Sequence, residues 1–99
     1  MNIAIWKFEL KDKQYQTIGM PPNSKALTAQ IQNGKLFLWA LCDKDAQIDL
    51  DYLDYTVLVA GTGSVIDSEE IAKPHYVATV QVLQGTYPIA LHVFIGEGA

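Results

Sequence analysis

Residues 26–41 have the sequence ALTAQIQNGKLFLWAL, and this stretch decides the fold that we predict. In its first half apolar and polar side chains alternate, which is typical of a β-strand with one buried face. The dipeptide Asn33-Gly34 follows, and it favours a two-residue type I′ turn because both central residues of that turn have positive φ. We therefore predict a β-hairpin in which Gln32 faces Lys35.

The predicted register gives the hairpin one wholly apolar face, which we expect to lie in the core. That face consists of three cross-strand pairs: Ile31 with Leu36, Ala29 with Leu38, and Leu27 with Ala40. The opposite face carries Phe37 and Trp39, beside Gln30 and Thr28. We favour a core position for both aromatic rings, because another strand of a sandwich would cover them. The alternative is a ligand-binding surface, in which the rings stack on a base or anchor a protein.

The rest of the chain carries further strand patterns. We predict strands at 3–8, 14–20, 55–60, 75–83 and 89–95, in addition to the two strands of the hairpin. Pro21-Pro22 ends the second strand, because proline cannot join a central ladder, and Ser68-Glu69-Glu70 favours a single helical turn. About seven strands in 99 residues predict one all-β domain over residues 1–99, either a small antiparallel sandwich or a partly open barrel.

Composition limits the classes of partner. The chain is 49% hydrophobic and 18% charged, which is typical of a folded protein. Its net charge is −4 and every cation is lysine, so it lacks the bidentate guanidinium with which proteins hold phosphates. We therefore expect no direct nucleic-acid partner. No run of about 20 apolar residues predicts a membrane span, and the first residues do not resemble a signal peptide. We accordingly expect an intracellular location and no membrane partner.

The candidate reactive residues favour a non-enzymatic protein. Cys42 ends an apolar strand and is expected to be a small buried hydrophobe, and His92, in the last strand, is expected to be structural. The turn formed by Gly61, Thr62, Gly63 and Ser64 is neither a nucleophile elbow nor a P-loop. Its residues remain candidate ligand-binding groups, since backbone amides in such a turn can hold an anion; the alternative is a plain tight turn. We predict no cofactor.

Residues 43–55 mix carboxylates with tyrosines and leucines. The candidate partner-binding residues are Asp43, Asp45, Asp49, Asp51, Tyr52, Asp54 and Tyr55. The acid spacing resembles that of a calcium loop, but Ile48 stands where that loop needs glycine, so we predict no metal. Carboxylates beside aromatic rings suit docking on a basic groove of a partner protein. The alternative is that Leu50 and Leu53 tuck into the core and the acids are merely solvated.

Several segments together resemble a known family. They are Ile5-Trp6-Lys7-Phe8, Gln16-Thr17-Ile18, Gln32-Asn33-Gly34, Leu38-Trp39-Ala40-Leu41, Gly61-Thr62-Gly63 and His92-Val93-Phe94. The pattern is similar to that of short proteins of unknown function, most of them encoded by bacteriophages and prophages. The resemblance implies a phage protein in the cytoplasm of an infected bacterial host, and it supplies no activity or catalytic residue.

The leading hypothesis is therefore a protein that inhibits a host anti-phage defence factor, in the manner of an anti-CRISPR or other anti-defence protein, by docking its acidic segment. One alternative is a sponge that sequesters a nucleotide immune signal through Phe37, Trp39 and the residues of the 61–64 turn. Another is a small virion or assembly component. Seven strands in so short a chain leave sheet edges unpaired, which also favours a homo-oligomer.

Overall fold

The chain folds into two antiparallel β-sheets packed as a sandwich, which confirms the predicted all-β class. The computed structural model describes residues 2–96. Its strands are β1 (Ile3–Leu10), β2 (Tyr15–Met20), β3 (Lys25–Gln32), β4 (Lys35–Asp43), β5 (Leu53–Gly61), β6 (His75–Gln84) and β7 (Tyr87–Ile95). One sheet has the order β1-β4-β3 and the other the order β2-β5-β7-β6. Of the two predicted architectures, the sandwich forms and the barrel does not.

The β3–β4 hairpin forms at the predicted turn. Asn33 and Gly34 have φ values of 54° and 76°, as a type I′ turn requires. The predicted pairing holds from Gln32–Lys35 to Thr28–Trp39. It fails beyond that point, because a bulge at Leu27 shifts the register and places Ala26, not Leu27, opposite Ala40.

The main core lies between the two sheets. Its fully buried side chains include Met20, Leu38, Ala40, Val57 and Val93. Ala29 is also buried, as predicted, whereas Leu27 and Ile31 of the predicted apolar face are exposed. Leu27 leaves the core face through the bulge, and Ile31 lies near the end of β3, beside Gln32 and the Asn33-Gly34 turn. Alternate residues of the hairpin are therefore buried only in the part of it that packs against the second sheet.

The connection between β5 and β6, residues 62–74, covers part of the outer face of the four-stranded sheet. Ile71 is its one buried residue and packs with Leu58 and Ala60 in a second, smaller core. The predicted helical turn at Ser68-Glu69-Glu70 is wrong, because Asp67 closes a turn there instead. Its carbonyl accepts from the amide of Glu70 at 3.0 Å and its carboxylate from the amide of Glu69 at 2.9 Å.

The sheet edges differ in how they are protected. β3 and β6 are edge strands that pack against each other, and each carries a bulge. β1 and β2 are the other two edges, and β1 pairs with β4 over its full length without interruption. No helix in residues 2–96 is long and apolar enough to cross a membrane.

Candidate functional site

The acidic loop, residues 44–52, joins β4 of one sheet to β5 of the other. Two aspartates hold its shape by accepting backbone hydrogen bonds. The Asp43 carboxylate accepts from the amide of Asp45 at 3.0 Å, and the Asp51 carboxylate accepts from the amide of Gln47 at 2.8 Å. The loop is turned, not extended, and Asp49 takes a φ of 72°. The segment is therefore an ordered projection at one end of the sandwich.

The acidic loop exposes apolar side chains among its carboxylates. Ile48 is 69% exposed and Leu50 is 77% exposed, and Leu53 at the start of β5 is also exposed. The alternative in which Leu50 and Leu53 fill the core is therefore wrong. These three exposed apolar side chains fall within six residues of the chain, and exposed apolar groups of this kind are typical of an interaction surface.

The aspartates of this surface have no ion-pair partner among residues 2–96. Asp45, Asp49 and Asp54 are exposed, and no aspartate from Asp43 to Asp54 forms an ion pair with another described residue. An ion pair elsewhere in the fold joins Lys35 and Glu9 at 3.8 Å. The acidic loop thus presents a net negative potential to solvent.

The two tyrosines of the predicted surface have different positions. Tyr55 is only 6% exposed, and its hydroxyl donates to the carbonyl of Pro21 at 2.9 Å, so its assignment as a partner-binding residue is wrong. Strand alternation in β5 directs it inward with Val57. Tyr52 is half-buried, with its ring beside Gly19. Desolvation raises the pKa of the Tyr52 hydroxyl, with a further contribution from Cys42, so Tyr52 adds no charge to the loop near neutral pH.

Phe37 and Trp39 lie on the outer face of the three-stranded sheet, so the predicted core position is wrong. The side chains on the other side of β4 face the second sheet and belong to the main core. The outer face has no further strand of residues 2–96 packed on it. The two rings meet edge to face at 5.9 Å, and the Lys7 ammonium lies 4.6 Å from the Phe37 ring centre. Trp39 also lines a shallow apolar hollow with Ile5 and Leu27. The alternative, a surface position, is the one observed.

The 61–64 segment is a tight turn. The amide of Ser64 donates to the carbonyl of Gly61 at 3.0 Å, and Gly63 has a φ of 85°, the positive value that a type II turn needs at its third residue. Because the Ser64 amide is used within the turn, it is not available to an anion. The turn instead directs the hydroxyl of Thr62 to Nε2 of His92, at 2.7 Å.

This contact belongs to a polar chain that sequence reasoning missed. Nδ1 of His92 lies 3.0 Å from the hydroxyl of Thr79, and that hydroxyl lies 2.8 Å from the hydroxyl of Tyr76. A neutral imidazole donates through one nitrogen and accepts through the other, so both threonine hydroxyls can be satisfied at once. Only the register, which sets Thr79 opposite His92, brings these residues together. The prediction of a structural role for His92 agrees with these contacts.

A hollow beside this chain is lined by uncharged groups. Thr62 and Gly61 form one side, Gln81 of β6 the other, and Pro88 and Ala90 of β7 lie between them. Among residues 2–96 no three potential metal ligands lie together. The hollow can therefore offer hydroxyl and amide hydrogen bonds to a ligand, without a fixed charge.

Comparison with known proteins identifies a family. A family model described as "Domain of unknown function (DUF7352)" matches residues 1–99. No curated protein and no solved structure matches the chain. Because the match spans all 99 residues, the chain belongs to this family of domains of unknown function.

Proposed function

We propose that the protein is a non-enzymatic binding domain that docks its acidic loop onto a basic surface of a partner protein. The observation that carries the proposal is the exposure of Ile48 and Leu50 among aspartates that form no ion pair with another residue of the described range 2–96. Apolar side chains at the centre of an interface supply affinity, and charges around them supply orientation and a faster encounter.

The acidic loop is well ordered for this role. Strands from both sheets hold its two ends, and the amide of Lys44 donates to the carbonyl of Asn2 at 3.1 Å. Inside the loop, the amide of Asp51 donates to the carbonyl of Gln47 at 2.9 Å. A preformed loop loses little conformational entropy on binding, so more of the contact energy appears as affinity.

The resemblance to phage-encoded proteins supports a particular class of partner, a host factor of anti-phage defence. Such factors commonly handle nucleic acid through basic surfaces. A negatively charged loop with apolar anchors would occupy such a surface and exclude the nucleic acid. The protein would then act as a stoichiometric inhibitor in the host cytoplasm.

The test removes two charges of the surface without changing its shape. Asp49→Asn with Asp54→Asn is suitable, because asparagine tolerates the positive φ at position 49 and the shape-holding carboxylates of Asp43 and Asp51 are kept. The matched control is Glu9→Gln with Asp12→Asn. It removes two charges at and just beyond the end of β1, whereas the acidic loop lies beside the start of that strand. Its one lost ion pair is exposed and contributes little to stability.

Each tagged protein is used to capture partners from host lysate at low and high salt, with identification by mass spectrometry. We expect a defence factor to bind the wild type and the control, and to be lost from the Asp49/Asp54 variant and at high salt. Equal capture by all three proteins would contradict the docking proposal.

The hollow beside His92 favours a second candidate function, the sequestration of a nucleotide signal. Its lining of hydroxyl, amide and apolar groups suits a heterocyclic base better than a phosphate, since no cation lies among the lining residues. We expect a cyclic nucleotide to raise the melting temperature of the wild type and to have no effect on Thr62→Val, which keeps the shape and loses the hydroxyl. A full panel without any shift would exclude this candidate.

A further inference from the structure

One side of β1 is paired with β4, and the direction of its backbone groups can be derived from a single contact. The amide of Lys44 donates to the carbonyl of Asn2 at 3.1 Å. The register pairs Ile3 with Asp43, so Asn2 lies opposite Lys44 and the two form a hydrogen-bonded pair. Such pairs recur at every second residue. The even-numbered residues of β1 therefore direct their N–H and C=O groups toward β4.

The hairpin leads independently to the same assignment. A two-residue turn closes on a hydrogen-bonded pair, here Gln32 with Lys35, so the odd-numbered residues of β4 bond to β3. The even-numbered residues of β4 are left for β1, and the register pairs Ala40 with Trp6 and Leu38 with Phe8. The Lys44–Asn2 hydrogen bond and the hairpin register thus lead to the same result. The N–H and C=O groups of the odd-numbered residues of β1 point away from β4.

This edge is consequently unprotected. The outward side of β1 presents one N–H and one C=O from each of Ile3, Ile5, Lys7 and Glu9. No strand among residues 2–96 lies on that side to accept or donate hydrogen bonds to these groups. Natural edge strands are usually shortened, bulged, covered or charged, to prevent pairing with another chain. β1 does carry Lys7 and Glu9, but both side chains reach back across their own sheet, to Gln32 and Lys35. β3 and β6 are bulged and pack against each other, and β2 has six residues and ends next to Pro21. β1 has eight residues without a bulge or proline.

The side chains next to this edge are also incompletely buried. Ile5 is 60% exposed and Ile3 is 57% exposed on the outer face. On the inner face Trp6 and Phe8 pack against the main core and yet remain only half-buried. On both faces of the sheet, apolar side chains next to the β1 edge thus remain partly accessible to solvent.

We propose that two copies of the chain associate by antiparallel pairing of their β1 strands, about a two-fold axis through Trp6, so that the three-stranded sheets join into one sheet of six. In this register Ile3 lies opposite the partner's Glu9 and Ile5 opposite the partner's Lys7. All of the outward N–H and C=O groups of the four odd-numbered residues then find partners. No other register of the same strands pairs all four.

The inner face explains why the occupant is a second copy and not an unrelated strand. The axis sets Trp6 against the partner's Trp6 in a non-hydrogen-bonded pair, where cross-strand side chains lie closest. Trp6 and Phe8 then complete their burial against the same residues of the other copy, and the two cores become continuous. An unrelated extended peptide would satisfy the backbone without supplying these rings.

The decisive variant is Ile5→Pro. The N–H of residue 5 points outward, so proline removes a donor from the free edge and no hydrogen bond to β4. The matched control is Thr17→Pro on β2, the other free edge. There the amide of Val59 donates to the carbonyl of Gln14, which directs the even-numbered residues of β2 toward β5 and the N–H of Thr17 outward.

Molar mass is measured by analytical ultracentrifugation over a wide range of concentration, and amide hydrogen exchange is measured on the wild type. We expect the wild type and Thr17→Pro to have twice the 11.0 kDa of the chain, and Ile5→Pro to have 11.0 kDa with an unchanged circular dichroism spectrum. The amides of Ile5, Lys7 and Glu9 should exchange as slowly as that of Trp6.

A wild type of 11.0 kDa at every concentration, or a dimer that survives in Ile5→Pro, would overturn the proposal. Hydrogen exchange decides the matter even if Ile5→Pro fails to fold. Rapid exchange at the odd-numbered amides of β1, with slow exchange at the even-numbered ones, would show that this edge is unpaired in solution. That result would contradict the dimer and favour a strand of another protein as the binding partner of the edge.

Discussion

Tyr52 and Tyr55 lie three positions apart in a segment of mixed aspartates, leucines and tyrosines. The fold buries one of them and leaves the other near the surface. Tyr55 is the third residue of β5 and faces the core, where its hydroxyl bonds to Pro21. Tyr52 precedes the strand and stays near the surface. A residue's role in this region therefore depends on its position relative to the start of β5, which composition does not mark.

We expect Tyr55→Phe to destabilise the protein by about 1 kcal/mol. For a domain of this size that corresponds to a fall in melting temperature of roughly 4–8 °C. The main loss is the buried hydrogen bond to the Pro21 carbonyl, and a longer one that the hydroxyl accepts from the Ser24 amide at 3.4 Å is lost with it. The control is Tyr87→Phe, since Tyr87 is exposed and its hydroxyl has no partner among the described residues. Equal melting temperatures for the two variants would refute the structural role of the Tyr55 hydroxyl.

The β3–β4 hairpin illustrates how far an element can be predicted. Its turn and the first five cross-strand pairs follow from local chemistry, because Asn33-Gly34 specifies the turn type and the turn specifies the register. The bulge at Leu27 has no local signal. β3 is an edge strand that packs against β6, and bulges are common on such edges, so the bulge depends on the position of β3 in the fold.

Gly34→Ala tests the turn. With φ at 76°, an alanine at this position is forced into the left-handed region, and we expect a loss of about 1–2 kcal/mol. Gly19→Ala is the control, because its φ is not positive and the nearest atom to an added Cβ, Tyr52 Cδ2, is 3.9 Å away. Chemical denaturation measures both. If Gly19→Ala proved the more harmful, the assignment of the turn would be wrong.

For the molecule as a whole, charge is distributed unevenly. Eight of the 11 acidic residues lie within residues 43–70, and the acidic loop has no ion pair with the described residues. Mutual repulsion in such a region weakens the folded state at low ionic strength. The same clustered carboxylates produce the negative potential that, in our proposal, attracts a basic partner. The loss of stability and the binding role therefore have the same cause.

We therefore expect Asp49→Asn with Asp54→Asn to raise the melting temperature above that of the wild type at low salt. The difference should vanish in about 1 M salt, where the screening length falls to roughly 3 Å. Glu9→Gln with Asp12→Asn should show a smaller effect, because Glu9 is paired with Lys35. A difference that is independent of salt would indicate a cause other than charge repulsion.

The sequence by itself determined the all-β class, the seven strands, the hairpin turn and, within the core, the buried positions of Ala29, Leu38, Ala40 and Cys42. These follow from alternation, proline and glycine positions, which act between neighbours in the chain. Only the tertiary structure decided that Phe37 and Trp39 are on the surface, that Tyr55 is buried, and that His92 meets Thr62 and Thr79. The physical reason is that a strand pattern separates two faces without saying which face the second sheet will cover.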